Sequence, residues 1–559
     1  MYYGNGEMAI KEKIIKYRHI FFTFLAMSVV YLNILHFAGT VCGGNVNWMI
    51  FSASIWGIPQ EIEVGQNMVP LFQDGKTVGW DGQFYYYISN DILGVKDTPE
   101  HVDMPSYRWQ RIGLPFCAYV ISKVFGLAQV SVACFVLTNF FIVFLATAIF
   151  VKYLKDNQVS ILYVLPWLFS FGVQITLHNC LVDAAADSFF ICAFIFFLKK
   201  KIVWYSAFMT LACLTREGYA NIAGMFFLIY LIKNAKNDIP LREKIEKCII
   251  LALPGIAIAG WILYVTLHFH VAPAQQAHGI VNYPFVDFFK CLHNQIHLFI
   301  ADYNKKSLVE IIGLIIYFAT LGMSVYFMYR LKKRSIFFAG MIPYVFMLAC
   351  FGNTVMFDIS GYWKGISVLF ALLPIFMVLD KTIHARLKLA CTIILSIELL
   401  MSVVMYSGRA EGFYPNAFVH LNNEVAKEAK IVDLNGTVRL KKIEKNNFMM
   451  LPMQKYFFSK DSATVSLTIT NNTNDIWYNI DNEEKQYGVY IQGQWFKNER
   501  LIQNDPLYQM TRNVSPGGSI DMDMQVILPK NGEYTYKINL LQKRREVTKE
   551  CYKDEVLIK

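Results

Sequence analysis

The residues best suited to chemistry lie in a polar stretch between two apolar segments, from about residue 39 to residue 111. Asp81 stands there between Trp80 and Gly82, and Tyr85 follows it closely. A carboxylate can take the proton of an attacking hydroxyl group, and a tyrosine offers both an apolar face and a polar tip. These residue types predict a site that acts on a hydroxylated substrate. The alternative interpretation is a loop whose charges pair with one another and whose aromatic rings lie at a membrane interface.

The same stretch ends in a group of residues that could bind phosphate. Asp103 and Tyr107 are followed by Arg108 and Arg111. A guanidinium group can hold two oxygens of one phosphate, so these side chains are candidates for binding a phosphorylated substrate. Local pairing of Asp103 with the arginines remains the alternative.

A second acidic group lies beside an apolar segment. Asp183 and Asp187 are four residues apart, so they share one face of a helix, and His178 precedes them. Carboxylates at the edge of a membrane are candidates for function, and we include all three side chains in the predicted substrate site. The alternative is that the acids only complement the dipole at the start of a helix.

Three further charged residues interrupt or border apolar segments. Arg216 and Glu217 break a long apolar stretch, and Lys364 precedes another one. Arg216 could hold a phosphate while Glu217 orients it. Lys364, with Asp358 and Tyr362 in the same predicted outer loop, is a further candidate for substrate binding. A simple ion pair in a helical hairpin is the alternative for Arg216 and Glu217.

The composition indicates which elements must position these residues. The chain is 55% hydrophobic and only 17% charged, whereas about a quarter of an ordinary soluble protein is charged. The apolar residues fall in blocks of roughly 18–25 residues, which is the length that crosses a bilayer. The sequence therefore predicts a mainly α-helical polytopic membrane protein.

The basic residues predict its orientation. With residues 1–18 in the cytoplasm, a first span follows at about 20–38, and residues 39–111 form a large outer loop. Residues 111–126 are predicted to form an amphipathic helix at the interface, since counting them as a span would send the clusters around Lys152 and Lys200 outside. The remaining predicted spans are 128–151, 158–177, 181–198, 202–214, 218–232, 248–269, 307–329, 336–351, 365–380 and 389–406.

About eleven spans within a membrane core of residues 19–406 place the C-terminus outside the cytoplasm. The interval 407–462 is predicted to be a linker. From residue 463 to 559 the chain alternates apolar and polar residues between turn signals such as Asn471-Asn472 and Pro516-Gly517-Gly518. This pattern predicts an extracytoplasmic all-β sandwich.

Charge and cysteine usage exclude two kinds of partner. The net charge is +10, but the basic residues sit at the ends of apolar blocks, so we do not predict nucleic-acid binding. The 11 cysteines form no CxxC pair, and the spacing of His268, His270 and His278 matches no metal-ligand pattern. No metal site and no cofactor are therefore predicted.

Taken in order, these features resemble one superfamily. The loop reads Asp81-Gly82-Gln83-Phe84-Tyr85-Tyr86, then Tyr107-Arg108-Trp109-Gln110-Arg111, with Pro115 in the interfacial helix. Two spans follow, and the next one begins with Asp183. Over roughly residues 10–410 the chain resembles the GT-C membrane glycosyltransferases, such as protein O-mannosyltransferases and the aminoarabinose transferases of lipid A. The tail resembles Ig-like β-sandwiches.

The resemblance implies an activity and roles for individual residues. It implies an inverting glycosyltransferase that moves a sugar from a polyprenyl-phosphate donor to a cell-envelope glycan, lipid or protein on the outer face of the plasma membrane. Asp81 would be the catalytic base, and Asp183 would help to shape the site. Members of the superfamily often carry two adjacent acids in this loop, whereas Gly82 follows Asp81 here. That departure leaves a divalent metal ion possible but unsupported.

A second function remains open. A flippase or transporter for lipid-linked sugars, without transferase activity, would also need many spans and a polar site. Such proteins favour internal repeats and broken helices at mid-depth. The sequence shows no clear repeat, and its acids collect at one predicted face, so we expect the transferase.

Overall fold

The computed structural model describes most of the chain. The residues that it does not describe are 1–3, 43, 54, 60–61, 63–70, 73–78, 235–239, 278, 304, 357, 410–430, 446–449, 458–461, 479–487, 506, 511–512, 543–546 and 559. The described residues form two compact units. The helical unit comprises residues within Met1–Leu32, Phe84–Leu93 and Val102–Arg409. The β unit comprises residues within Asn33–Gln83, Gly94–His101 and Ala410–Lys559.

Helices make up most of the first 409 residues. The α-helices are α1 (Gly4–Thr40), α2 (Gly82–Asn90), α3 (Pro105–Trp109), α4 (Gly113–Val124), α5 (Val132–Asp156), α6 (Leu165–Leu168), α7 (Phe171–His178), α8 (Asp183–Leu198), α9 (Ile202–Thr215), α10 (Ala220–Asn234), α11 (Leu241–Phe269), α12 (Pro273–Gln276), α13 (Val286–Asp302), α14 (Lys305–Leu331), α15 (Ile342–Ala349), α16 (Asn353–Met356), α17 (Ile359–Leu379) and α18 (Ala385–Arg409), with α19 (Gln454–Phe457) in the tail. Short 3₁₀ turns lie at Val46–Ile50, Thr98–His101, Ile161–Val164, Glu217–Tyr219 and Ile336–Met341.

Six of these helices are long and apolar enough to cross a membrane, in the part of the chain that is described. They are Tyr17–Thr40, Val132–Asp156, Leu241–Phe269, Lys305–Leu331, Ile359–Leu379 and Ala385–Met405. A seventh crossing is available if the bent pair Ile161–Leu168 and Phe171–His178, whose axes differ by 56°, acts as one span. The chain is therefore a mainly helical protein of the membrane-embedded type with a C-terminal β region.

Every predicted span overlaps a helix or a pair of short helices. Several of these helices are too short to be counted among the six that could cross a membrane. α8 has 16 residues, α9 has 14 and α10 has 15. The prediction that the stretch around Arg216 forms two helices is confirmed, because α9 ends at Thr215 and Arg216 is extended, with φ −151° and ψ 115°. The predicted total of about eleven spans stays a prediction.

The tail forms two antiparallel sheets. One has three strands in the order β3 (Gly436–Lys445), β4 (Ser462–Asn471) and β8 (Ser519–Ile527). The other has β10 (Val547–Ile558), β9 (Gly532–Gln542), β5 (Tyr490–Lys497) and β6 (Arg500–Asn504) in that order, and β7 (Tyr508–Gln509) also pairs with β5. A separate parallel pair joins β1 (Ser52–Ala53) to β2 (Leu71–Phe72).

Alternating residues of both tail sheets share one hydrophobic core. Val465, Leu467 and Ile469 come from β4, and Trp495 from β5 and Ile538 from β9 join them. Successive side chains of a strand point to opposite faces, so every second residue faces the core. This is why the alternation was visible in the sequence.

The start of the tail differs from the prediction. Strand β3 pairs with β4 from Gly436 to Lys445, so the interval 407–462, predicted as a linker, contributes a strand. The strand was hard to find because six of its ten residues are exposed and it carries Arg439, Lys441 and Lys442. Its buried Val438 joins the core of the tail.

The first polar loop and the tail belong to the same compact unit. The Gln454 amide nitrogen donates to the Gly44 carbonyl over 2.7 Å, and Gln454 is buried. The part of the first loop that lies within Asn33–Gln83 is therefore joined to the tail inside one unit.

Candidate functional site

Arg111 makes four side-chain hydrogen bonds within the helical unit. Its Nε and Nη2 atoms donate to the two carboxylate oxygens of Glu217 over 3.0 and 2.8 Å. It also donates to the hydroxyls of Tyr107 over 2.5 Å and Tyr85 over 3.2 Å. These four bonds use most of the five donors that a guanidinium group has. Arg111 is therefore fixed in one orientation.

A close backbone approach brings Arg111 to Glu217. Gly113, at the start of α4, lies against the end of α9, where an added Cβ would come within 2.0 Å of the Thr215 hydroxyl and 2.8 Å of its backbone nitrogen. Only glycine permits this approach without movement of the backbone. The residue two positions before Gly113 thus meets the residue two positions after Thr215.

Glu217 is ionised in this environment. Burial on its own would raise the pKa of Glu217, but the Arg111 guanidinium outweighs that effect and lowers the pKa to about 2. The carboxylate side chain is still 34% exposed. The pair is therefore fully charged at neutral pH and borders solvent.

Arg216 is less well satisfied than Arg111. Its Nη1 atom lies 2.9 Å from an oxygen of Asp183, and both side chains are largely buried. That nitrogen nevertheless makes no hydrogen bond of good geometry to any described residue, although it is buried. A buried charged donor without a hydrogen bond is unfavourable by about 1–3 kcal/mol or more, so it marks a place where a ligand could bind.

The two arginines form one electrostatic group. Arg216 interacts with Asp183, Arg111 and Asp187, and Glu217 interacts with both arginines. We call Arg111, Arg216, Asp183 and Glu217 the arginine cluster. It balances two cations with two anions around one unsatisfied guanidinium nitrogen.

Asp187 lies four residues after Asp183 on α8 and interacts with Arg216. It is fully buried, and its two oxygens accept hydrogen bonds from the Tyr219 hydroxyl over 2.5 Å and from the Ser367 hydroxyl. The Tyr219 ring stacks between Phe190 and Tyr344, with centroid distances of 4.7 and 5.2 Å. Asp187 thus ties together α8, the 3₁₀ turn Glu217–Tyr219 and α17, and it acts as a positioning residue.

Asp103 and Arg108 bind each other. The Nε and Nη2 atoms of Arg108 donate to the two oxygens of Asp103 over 2.8 and 2.7 Å. The Arg108 side chain also lies over the rings of Phe84 and Tyr107. This geometry matches the local ion pair that the sequence left open, and substrate binding by these two residues stays a prediction.

His178 and Lys364 lie on neighbouring helices. His178 is buried at the end of α7. Lys364 lies on α17, where the backbone of Trp363 and Lys364 closely approaches Gly172 of α7. Among the described residues, the Lys364 ammonium group makes no ion pair, whether with the arginine cluster or with any other acid.

Asp81 belongs to the β unit, whereas the arginine cluster belongs to the helical unit. Asp81 is partly buried and stands directly before α2. Its loop is fixed on both sides, because Trp80 donates its backbone N–H to the Phe51 carbonyl and the Gln83 side chain accepts from Ala53. The catalytic role of Asp81 stays a prediction.

The comparisons with known proteins do not identify the chain. No protein-family model, no curated protein and no solved structure matches it. Among the described residues, no group of three or more His, Cys, Asp or Glu side chains is arranged to hold a metal ion. The site must therefore be interpreted from its own geometry.

Three residues of the site were not predicted from the sequence. Tyr219, Tyr344 and Ser367 hold or stack around the Asp187 carboxylate and its partner. Tyr219 could have been found, because it follows Glu217 by only two residues. Ser367 and Tyr344 carried no signal, since each lies within an apolar segment far along the chain.

Proposed function

We propose that this protein is a membrane glycosyltransferase of the GT-C type that uses a polyprenyl-phosphate-linked sugar. The acceptor would be a glycan, lipid or protein of the cell envelope, and the N-terminus would lie in the cytoplasm with the tail outside. The tail would be an Ig-like sandwich. Long apolar helices, together with a charged cluster at the ends of the shorter helices α8 and α9, support a substrate that is part lipid and part polar.

The unsatisfied nitrogen of Arg216 is the observation that carries the proposal. Among the described residues, its one ion-pair partner is Asp183, and that contact lacks hydrogen-bond geometry. A phosphate oxygen would complete its hydrogen bonding and offset its desolvation. Arg111 and Glu217 would hold the surrounding backbone in place while the phosphate binds.

The chemistry would be a single displacement. The acceptor hydroxyl oxygen forms a bond to the anomeric carbon as the bond from that carbon to the phosphate oxygen breaks. The hydroxyl proton passes to a carboxylate, which is the role that the resemblance implies for Asp81, and a cation stabilises the negative charge of the departing polyprenyl phosphate. One displacement inverts the anomeric configuration, and it needs only one base.

A transfer assay with matched variants tests this mechanism. In the purified protein, Asp81→Asn keeps the size of the side chain but removes the base, so transfer should fall at least about a hundredfold. Asp97→Asn changes another acid of the same loop and should leave transfer unchanged. Equal transfer by Asp81→Asn and the parent protein would exclude Asp81 as the base.

One observation favours the alternative, a flippase for lipid-linked sugars. The bent pair that ends in α7 is a broken helix, and Glu398 lies buried on α18 beside it. Ser402 donates to Glu398 and accepts from the backbone of Phe171, the first residue of α7, while the other Glu398 oxygen has no hydrogen bond to a described residue. Broken helices with polar groups at mid-depth are typical of transporters.

The two functions differ in what reconstituted vesicles do. A flippase would move a labelled polyprenyl-phosphate sugar across the bilayer without an acceptor, and Glu398→Gln would impair that movement. A transferase would instead consume the donor only when an acceptor is present, and Glu398→Gln would leave the chemical step intact.

A further inference from the structure

The outer face of the five-stranded sheet contains a polar cavity. Its volume is about 290 Å³, and four amide side chains line it: Gln492, Gln494, Asn504 and Asn539. This volume is near the lower end of the range of roughly 300–1,000 Å³ that small-molecule sites occupy. All of the lining residues belong to the β unit, away from the arginine cluster in sequence.

Strand pairing assembles these amides side by side. Gln492 and Gln494 are alternate residues of β5, so they share a face of the sheet. Gln494 lies opposite Asn504 on β6, and Gln492 lies opposite Asn539 on β9. Glu550 of β10 lies opposite Asn539 on the other side. The cavity is thus built from four adjacent strands.

Hydrogen bonds between the amides fix their orientation. Asn539 donates to Gln494 over 2.8 Å, and Gln494 donates to Asn504 over 2.8 Å. Gln492 donates to the carbonyl of Asp505 over 2.7 Å. Each amide has two N–H donors and one oxygen with two lone pairs, so these bonds use only part of its capacity.

Two of the polar side chains are too buried for an ordinary solvated face. Gln492 is 4% exposed and Asn539 is 6% exposed. Buried amides are retained where they are hydrogen-bonded or where they bind something, because burial without partners is unfavourable.

The charge of the cavity selects against most ligands. The lining contains no lysine or arginine that could hold a phosphate or a nucleic acid. Its one ionisable residue, Glu550, is paired with Lys537 over 2.6 Å. Its one aliphatic lining residue, Leu541, is 2% exposed and gives little surface to a lipid. Thr548 adds a hydroxyl. Amides and a hydroxyl, held rigidly, match the alternating donors and acceptors of sugar hydroxyl groups.

We propose that this cavity binds a short segment of a neutral glycan. The tail would then hold a sugar chain. This inference goes beyond the proposed transferase, and it holds whether the membrane unit transfers or transports sugar. Binding needs neither Asp81 nor Arg216.

The test measures glycan binding by the full-length protein in detergent, without any lipid-linked donor. The probe is the neutral oligosaccharide fraction released from the envelope polysaccharide of the producing cells, immobilised on a biosensor. Gln494→Leu and Asn539→Leu should each weaken binding at least about tenfold. Asn472→Leu is the matched control, because it changes an exposed amide just after β4 of the other sheet, whose side chain donates to Thr437, and it should bind as the parent does.

Gln494→Leu removes the hydrogen bonds to Asn539 and Asn504, so a thermal melt is recorded first to show that the variant folds. Unchanged binding by a folded Gln494→Leu protein would overturn the proposal. No binding by the parent protein would overturn it too. Competition by inorganic phosphate or by vesicles of acidic lipid would show instead that an anion occupies the cavity.

Discussion

At the scale of single residues, the two arginines of the cluster have different tasks. Arg111 meets a bidentate carboxylate and two tyrosine hydroxyls, so its charge is already satisfied by the protein. Arg216 retains a buried nitrogen without a hydrogen bond. We therefore assign ligand binding to Arg216 and positioning to Arg111.

Another buried acid, Asp505, makes the stability of the β unit depend on pH. Burial raises its pKa from 3.8 to about 7, although Tyr536 and Trp495 donate hydrogen bonds that lower it. The folded state thus binds the proton more tightly than the unfolded state. The stabilisation is complete below about pH 3.8 and is lost as the pH rises to about 7, where the dependence ends.

We predict that Asp505→Asn removes this dependence of the free energy of unfolding on pH. Between pH 4 and pH 7 a single such group changes the free energy of unfolding by up to about 1.4 kcal/mol per pH unit. Tryptophan fluorescence of the full-length protein during denaturation measures it, since Trp495 bonds Asp505 directly. Asp554→Asn, at an exposed acid, should keep the slope of the parent. An unchanged slope in Asp505→Asn would contradict the assignment.

The sequence predicted the participants of the site better than their pairing. Arg216, Glu217, Asp183 and Arg111 were recognisable because charges beside apolar segments are rare. The Arg111–Glu217 bond joins residues more than a hundred positions apart, and no periodicity reports such a contact. The alternative of a simple Arg216–Glu217 pair was wrong, because each residue bonds a different partner.

At the scale of elements, the contact between α4 and α9 positions the cluster. We predict that Gly113→Ala weakens the Arg111–Glu217 bond, because the new Cβ would overlap the Thr215 backbone and force the helices apart. Overpacking of this kind destabilises by about 1–3 kcal/mol. Gly224→Ala on α10 is the matched control, because an added Cβ there has no atom within 4 Å.

The thermal stability of the two purified variants checks this prediction. Gly113→Ala should melt several degrees below the parent, whereas Gly224→Ala should melt at or slightly above it. If both variants melted together with the parent, the close approach at Gly113 would have no structural role.

Elements with strong apolar patterns were predicted, and elements without them were missed. Each predicted span overlaps a helix because a bilayer-length apolar run can satisfy its backbone only within itself. The bend between α6 and α7 was not predicted, although Pro166 precedes it. Strand β3 was missed because it is an edge strand whose mostly exposed face carries lysine and arginine, which hide the alternation.

At the scale of the whole molecule, the orientation in the membrane stays a prediction from the basic residues. The predicted orientation places the first loop and the tail outside and the Lys199–Lys201 group inside. Thr77, a loop position at which an introduced cysteine would report the orientation, lies outside the described residues. Asn498, in the turn between β5 and β6, is exposed and serves instead.

We predict that Asn498→Cys reacts with an impermeant thiol reagent in intact cells and that Lys200→Cys does not. The signal is compared with the parent, which has 11 cysteines of its own. Both sites should react after the cells are opened. Labelling of Lys200→Cys alone in intact cells would reverse the orientation.

Binding of polyprenyl phosphate to the purified protein tests the central claim most directly, because the claim is that Arg216 completes its hydrogen bonding with the phosphate of this lipid. Arg330→Gln is the matched control, since Arg330 also pairs with an aspartate, Asp380, at a distance of 2.8 Å. A charge-assisted hydrogen bond is worth about 1.5–3 kcal/mol, which corresponds to roughly tenfold to a hundredfold in affinity. We predict a loss of that size in Arg216→Gln and none in Arg330→Gln. Equal affinity of Arg216→Gln and the parent protein would contradict a phosphate site at Arg216.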